Sequence, residues 1–340
     1  MLLHCLPGGR VCIPGYTCSA VSEAASLSGR QTVYLEHSAG SINLDARDIE
    51  GKLRSGDIFV LTHQYGCAAN VGRIVECAQR QGAIIVEDIA AAFAGSSDGK
   101  PLGSFGLVAF GSFDVSKLVH VPLKGGFVVT NDDALAASLR AQARRLFQQM
   151  SITHMIRLAL LGCVLRLVTG PALYGLFHAI NFRLRGRATA EDGVLAERPN
   201  AFYTLEFAEW QAAIALPQLQ QLHDIIRRRA DVYRVLRAKC ESHALLKPEA
   251  ALPEVVGTSV RFPVYTGNKA ALYEALVAHG VDCGFSFTTL ATPRSYAESW
   301  RIADSVLNLP YYPTMTPGEL ETLAKALDLM RKQENAAAIP

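Results

Sequence analysis

Two ionisable side chains fall where an open α/β sheet would present them to a ligand. Asp88 immediately follows the apolar run Ala83-Ile84-Ile85-Val86-Glu87, and Lys117 lies four residues beyond a strand expected to end at Phe113. Ligands of such sheets bind at the carboxyl ends of the strands. A lysine and a carboxylate on neighbouring strand ends suit the chemistry of pyridoxal 5'-phosphate. The amine forms a Schiff base with an aldehyde, and the acid keeps a pyridine nitrogen protonated so that the ring draws electrons. Ser112, five residues before Lys117, is then placed to donate its hydroxyl hydrogen to the phosphate. Plainer readings stay open on spacing alone. Asp88 also suits the N-cap of a helix over Ile89–Ala94, and a loop lysine is usually a solvated charge.

The surrounding sequence supplies the elements that would position these groups. Short apolar runs predict strands at Arg10–Ile13, Gln31–Leu35, Asp57–Thr62, Ala83–Glu87, Leu107–Phe113 and Gly126–Thr130. Helical stretches are expected at Ser19–Leu27, Leu44–Leu53 and Asn70–Arg80. In the last, Val71, Ile74, Val75 and Ala78 make an apolar face at helical spacing, Asn70 suits the N-cap, and Gly82 suits the stop. Alternation of continuous apolar strands with helices predicts an α/β fold, a mostly parallel sheet with helices on both faces. One long helical region is expected over Phe202–Lys239. A strand (Val260–Tyr265), a helix (Lys269–His279) and a last helix (Thr316–Lys332) then suggest a smaller C-terminal α+β domain. The expected division is a large domain over 1–204 and a linking helix with the small domain over 205–340.

Composition narrows the function classes. Three hundred and forty residues, half of them hydrophobic and 19% charged, are enough for two packed domains. A net charge of only +2 argues against a dedicated nucleic-acid binder. The eight cysteines are scattered without a CxxC pair, so neither a zinc cage nor a disulfide framework is expected. The first ten residues lack the basic-then-apolar pattern of a secretory leader, which makes the cytoplasm the expected compartment. The longest stretch without a charged side chain, Leu167 to Phe182, is broken by Gly170-Pro171 and is shorter than the roughly 20 residues of a spanning helix.

Taken in order, a series of short motifs resembles the DegT/DnrJ/StrS family of pyridoxal-phosphate sugar aminotransferases, which has the aspartate-aminotransferase-like fold. The matching stretches are Thr62-His63-Gln64-Tyr65-Gly66 with Ala68-Ala69-Asn70, then Val86-Glu87-Asp88-Ile89-Ala90-Ala91-Ala92, then Gly103-Ser104-Phe105-Gly106. They continue with Ser112-Phe113 and Ser116-Lys117, Gly125-Gly126 through Asp132, Glu209 through Ile214, and Leu307 through Pro313. The resemblance implies Lys117 as the Schiff-base lysine, Asp88 as the partner of the pyridine nitrogen and Ser112 as a phosphate ligand. It places Cys18 and Ala91 where side chains flank the two faces of the ring. The implied activity is transfer of an amino group, usually from glutamate, to a keto sugar nucleotide in polysaccharide or glycan biosynthesis, by a homodimer. Lys117 argues against the family's dehydratase branch, which carries a histidine there.

Three features depart from the resemblance. Met1-Leu2-Leu3 resembles the end of the family's first helix, so either the start codon is placed too late or the phosphate-binding turn before that helix is missing. Thr204 and Glu206 stand where the family carries Asn and Arg on a segment that usually completes a neighbouring subunit's site, which removes a cation. Both departures suit an alternative function, a catalytically impaired relative acting as a membrane-associated binding or regulatory partner. Finally, Ser151–Arg187 is an apolar insert that reads as two helices joined near Gly170-Pro171. Between Asp133 and Glu191 there are eight arginines, no lysine and no acid. An interfacial membrane contact, an oligomer contact and a lid all suit such a segment.

Overall fold

A computed structural model of the chain describes residues 1–67, 70–122, 124–168, 170, 173, 175–176, 204–241, 247–248 and 258–337. A short helix α1 (Leu2–Cys5) leads into strand β1 (Val11–Pro14), followed by α2 (Ser19–Leu27), β2 (Thr32–Leu35), α3 (Ala46–Ile49), β3 (Ile58–Thr62), α4 (Val71–Arg80) and β4 (Ile84–Asp88). A small hairpin, β5 (Ser96–Ser97) and β6 (Lys100–Pro101), precedes β7 (Val108–Ser112), β8 (Gly126–Val129), α5 (Asp133–Leu146) and α6 (Ile152–Val168). The strands form one six-stranded sheet in the order β2-β1-β3-β4-β7-β8, parallel except for the antiparallel pair β7–β8. That is the expected α/β architecture, with each predicted strand in place to within two residues.

The core explains why these runs are strands. Every residue of β1 and β3 is buried. Cys12, Phe59, Leu61 and Ile85 pack with Val71, Ile74 and Ala78 of α4, which is the apolar face read from the sequence, with Val75 at its edge. Full burial of each large aliphatic or aromatic side chain contributes roughly 1.5–3 kcal/mol. Helix α4 stops at Gly82, whose φ of +72° is a conformation that other residues rarely adopt. Asn70 occupies the N-cap position, but its side chain makes no capping bond.

Two helices differ from expectation. Leu44–Leu53 contains only one turn, Ala46–Ile49, opened by a reciprocal Asp45–Asp48 capping box and closed where Glu50 becomes extended and Gly51 takes φ +68°. The single helix expected over Phe202–Lys239 is two, α7 (Glu209–Gln220) and α8 (Leu222–Glu241), broken at Gln221. Pro217 lies inside α7; a proline removes one helical donor and crowds the preceding turn.

The C-terminal part is antiparallel, with β10 (Phe262–Tyr265) between β9 (Lys247–Pro248) and β11 (Val306–Leu309). Helices α8, α9 (Lys269–Ala278) and α11 (Pro317–Ala337) build a second core on it around Leu236, Phe262, Leu276 and Leu307, and α10 (Ala297–Ser305) precedes β11. The two cores meet at an aromatic junction that includes Tyr16, Tyr65 and Trp300. The junction is tied by a hydrogen bond from Val260 N–H to the Tyr65 carbonyl at 2.9 Å. Helix α6 is the first of the two helices expected in the insert; the second falls outside the described residues.

Candidate active site

Parallel pairing in register sets the height of each functional group on the sheet. Thr62 at the end of β3 lies level with Asp88 at the end of β4, and Asp88 lies level with Phe110 on β7. Ser112 is two residues further along β7, opposite Gly126 of β8. The chain then turns back over the sheet. Asp114 Oδ1 accepts from Ser116 N–H at 3.3 Å, Lys117 N–H donates to the Asp114 carbonyl at 2.9 Å, and Lys124 Nζ pairs with Asp114 Oδ2 at 2.7 Å. Asp114 N–H also donates to Ser112 Oγ at 3.1 Å. The loop that carries Lys117 is thus built around one aspartate that sequence reasoning did not single out.

All five residues expected at the site, Cys18, Asp88, Ala91, Ser112 and Lys117, line one open cavity of about 1550 Å³. Asp88 is 6% exposed. Burial pushes its carboxyl above the usual carboxylate range, against the pull of the Ala90 N–H bond to Oδ1 at 2.9 Å and of the charges on Lys117 and His63. The helix that would make Asp88 a simple N-cap does not form: Ile89–Ala94 is a set of turns ending in Ala94 at φ +65°. Asp88 and Lys117 line the same cavity, and Asp88 Oδ1 is engaged locally by Ala90 N–H rather than by a helix N-terminus.

Asp88 is supported from behind by a network that also went unread in the sequence. Glu87, fully buried, accepts from Phe105 N–H at 2.5 Å and Gly106 N–H at 2.7 Å through Oε1, and from Gly103 N–H at 2.8 Å through Oε2. The same Oε2 lies 3.4 Å from His63 Nε2. Burial pushes the Glu87 carboxyl up, but the bonds from His63, Gly103 and Gly106 outweigh it and hold the group below its ordinary value. Three of the sequence motifs meet at this one carboxylate. The signal that could have found it was the Gly103–Gly106 turn, whose N–H groups need an acceptor.

Thr62 and His63 line the cavity, and their buried Oγ1 and Nδ1 have no hydrogen-bond partner among the described residues. Such orphans are uncommon in a finished core and mark a place that a polar ligand would complete. A buried acid, a lysine and a serine at adjacent strand ends of one cavity fit pyridoxal phosphate. Thr204 and Glu206 line the same cavity, held by Gln148 N–H to the Thr204 carbonyl at 2.8 Å and Glu206 N–H to the Gln148 carbonyl at 2.9 Å. From the small-domain side, Arg261, Ser286 and Phe287 line it too.

A mostly parallel six-stranded sheet with this lysine and acid at its carboxyl edge defines the aspartate-aminotransferase-like class of fold. The chain belongs to the DegT/DnrJ/EryC1/StrS aminotransferase family, whose family model matches residues 1–328. It is similar to GDP-perosamine synthase of Caulobacter vibrioides, 32% identical over 135 residues, which cover 39% of this chain and 36% of that protein. It is also similar to UDP-2-acetamido-2-deoxy-3-oxo-D-glucuronate aminotransferase of Pseudomonas aeruginosa, 33% identical over 145 residues, 42% of this chain and 40% of that one. The matched stretches thus span well under half the length of these curated relatives. Among solved structures, the fold resembles a DegT DnrJ EryC1 StrS aminotransferase from Brucella abortus, with TM-score 0.72 and 20% identity over 96% of this chain and 81% of that one. The aminotransferase TlmJ of Streptoalloteichus hindustanus is alike at TM-score 0.73 and 20% identity, over 99% of this chain and 82% of the other.

Proposed function

We propose that this protein is a pyridoxal-phosphate-dependent aminotransferase that moves an amino group, with glutamate as donor, onto a keto sugar nucleotide for polysaccharide or glycan assembly. The observation that carries this reading is that Lys117, the buried Asp88 and Ser112 line one cavity at the carboxyl edge of the sheet. The named relatives support the substrate class, since two of them are designated as acting on GDP- and UDP-linked sugars.

Lys117, Asp88 and Ser112 would hold the cofactor, with Cys18 and Ala91 beside the ring. Pyridoxal phosphate supplies, when bound, an aldehyde for amines and an electron-drawing pyridinium ring. Asp88 would accept a hydrogen bond from the ring nitrogen in a buried setting that strengthens such a contact. Ser112 Oγ would bind a phosphate oxygen. Lys117 would supply the amine that holds the aldehyde and would serve as the acid and base toward the substrate carbon. The turn built on Asp114 holds the Lys117 backbone.

The division into 1–204 and 205–340 belongs to the same proposal and is supported by the two separate cores. So do the homodimer and a peripheral membrane contact through residues 151–187. No helix among the described residues is long and apolar enough to cross a membrane. The impaired-enzyme alternative rests on Thr204, Glu206 and the first helix, and the family and relatives found by comparison give it no support.

Purified protein given pyridoxal phosphate should develop a visible absorption band that Lys117→Ala lacks. It should also consume glutamate when offered a keto sugar nucleotide. A band unchanged in Lys117→Ala would overturn the assignment of the lysine, and no turnover across a panel of keto sugar nucleotides would overturn the activity.

A further inference from the structure

Helix α6 carries an aliphatic surface that nothing else in the described structure covers. Ile152 is 70% exposed, Leu160 63% and Leu167 68%, with Ile156 and Val164 more than half exposed. At about 100° per residue these five fall within a sector of roughly 120°. Leu173 and Leu176 extend the exposed apolar surface past the helix end. Single exposed leucines are ordinary, but a contiguous stripe of this kind marks a surface that meets something apolar.

The charge of the sequence that carries the stripe says what that partner is. The 57 residues between Asp133 and Glu191 hold eight arginines and no acid. Arg140, Arg144 and Arg145 on α5, and Arg157 on α6, are exposed. Among the described residues none of the four pairs with a carboxylate. A second copy is a poor match, because a two-fold interface sets the same patch against itself and would bring arginine to arginine with no acid to answer. An apolar phase bordered by negative charge answers both features.

We infer that α6 docks this protein on an anionic phospholipid surface, its aliphatic stripe at the acyl boundary and the arginines of α5 and α6 on the lipid phosphates. At 17 residues the helix is about 25 Å long, short of the roughly 30 Å hydrocarbon core, so it lies along the interface rather than across it. This rests on the membrane-contact part of the proposed function and is independent of amino transfer. Docking would keep a soluble sugar donor's product beside lipid-linked glycan acceptors.

Flotation of the full chain with vesicles tests it. The protein should float with mixed phosphatidylglycerol and phosphatidylcholine vesicles at low salt and stay behind with phosphatidylcholine alone. The double substitution Leu160→Glu with Val164→Glu should abolish flotation. Arg144→Gln, Arg145→Gln and Arg157→Gln together should weaken partitioning on the order of a hundredfold, at about fivefold per arginine. All of these positions are exposed, and cofactor uptake checks that the variants fold. Lys117→Ala should float like wild type, which separates this inference from the catalytic one. Failure to float with the anionic vesicles, or flotation of both sets of variants equal to wild type, overturns it. So does a Leu160→Glu, Val164→Glu protein that floats normally but sediments as a smaller species, since a second copy would then cover the stripe.

Discussion

Glu87 and His63, both fully buried, lie 3.4 Å apart directly behind Asp88, with Glu87 gathering three backbone N–H groups of the Gly103–Gly106 turn. The acid at the cavity therefore stands on a second acid that faces away from it. Replacing Glu87 by alanine would leave those donors and the imidazole without an acceptor, and the expected loss is about 3–5 kcal/mol in urea unfolding. Because the folded Glu87 sits below its ordinary value of 4.5, its contribution is present above that pH and is lost as pH falls through the folded value. Glu87→Gln should flatten the acid limb of a Tm-against-pH curve; an unchanged limb would count against the network.

Asp88 carries the opposite sign. Burial raises its carboxyl above 3.8, so in the cofactor-free protein its favourable contribution is complete below that pH and disappears as pH rises through the raised value. Asp88→Asn should therefore give a cofactor-free protein with a higher Tm at pH 7 than wild type. The same variant should lose about 10²–10³-fold in turnover, since the charge that stabilises the protonated ring is gone. A variant that is less stable and fully active would refute both halves.

Ser112 should act on cofactor affinity rather than on the chemistry. Ser112→Ala removes one hydrogen bond to a charged oxygen, worth about 1.5–3 kcal/mol, or roughly 10–100-fold in Kd for pyridoxal phosphate. Fluorescence titration of the cofactor checks it, with turnover at saturating cofactor expected within a few fold of wild type.

Gly66 is one place where the two halves of the chain approach closely. It has φ +90°, and a Cβ there would stand 2.4 Å from Ser259 Cα and 2.5 Å from the Ala91 carbonyl oxygen. Gly66→Ala should cost at least about 3 kcal/mol and detach Val260 from Tyr65, since both neighbours are backbone and cannot rotate away. Denaturation midpoint and cofactor affinity should fall together.

Much of the sheet was legible because burial on both faces demands continuous apolar runs, and AIIV and IFVL leave few other structures open. Asp88 and Lys117 were legible because such sheets expose their carboxyl ends. Local rules failed where the deciding contact is distant. Spacing could not tell the capping role of Asp88 from a cofactor-binding one, and the structure shows turns rather than a helix after it. The break at Gln221 divides a helix that composition alone runs together. Glu87 reads in sequence as one more residue of a strand, and only the parallel register of β3, β4 and β7 places it against His63 and the Gly103–Gly106 turn. Asp114 reads as a loop acid until the return of the chain brings Lys124 to it. What the amino-acid order determined by itself was the set of buried strands and the chemical types at their ends, because hydrophobic periodicity is local. What the tertiary structure alone decided was which of those groups face one another, because hydrogen bonds between residues 16 to 24 positions apart exist only once the strands have paired.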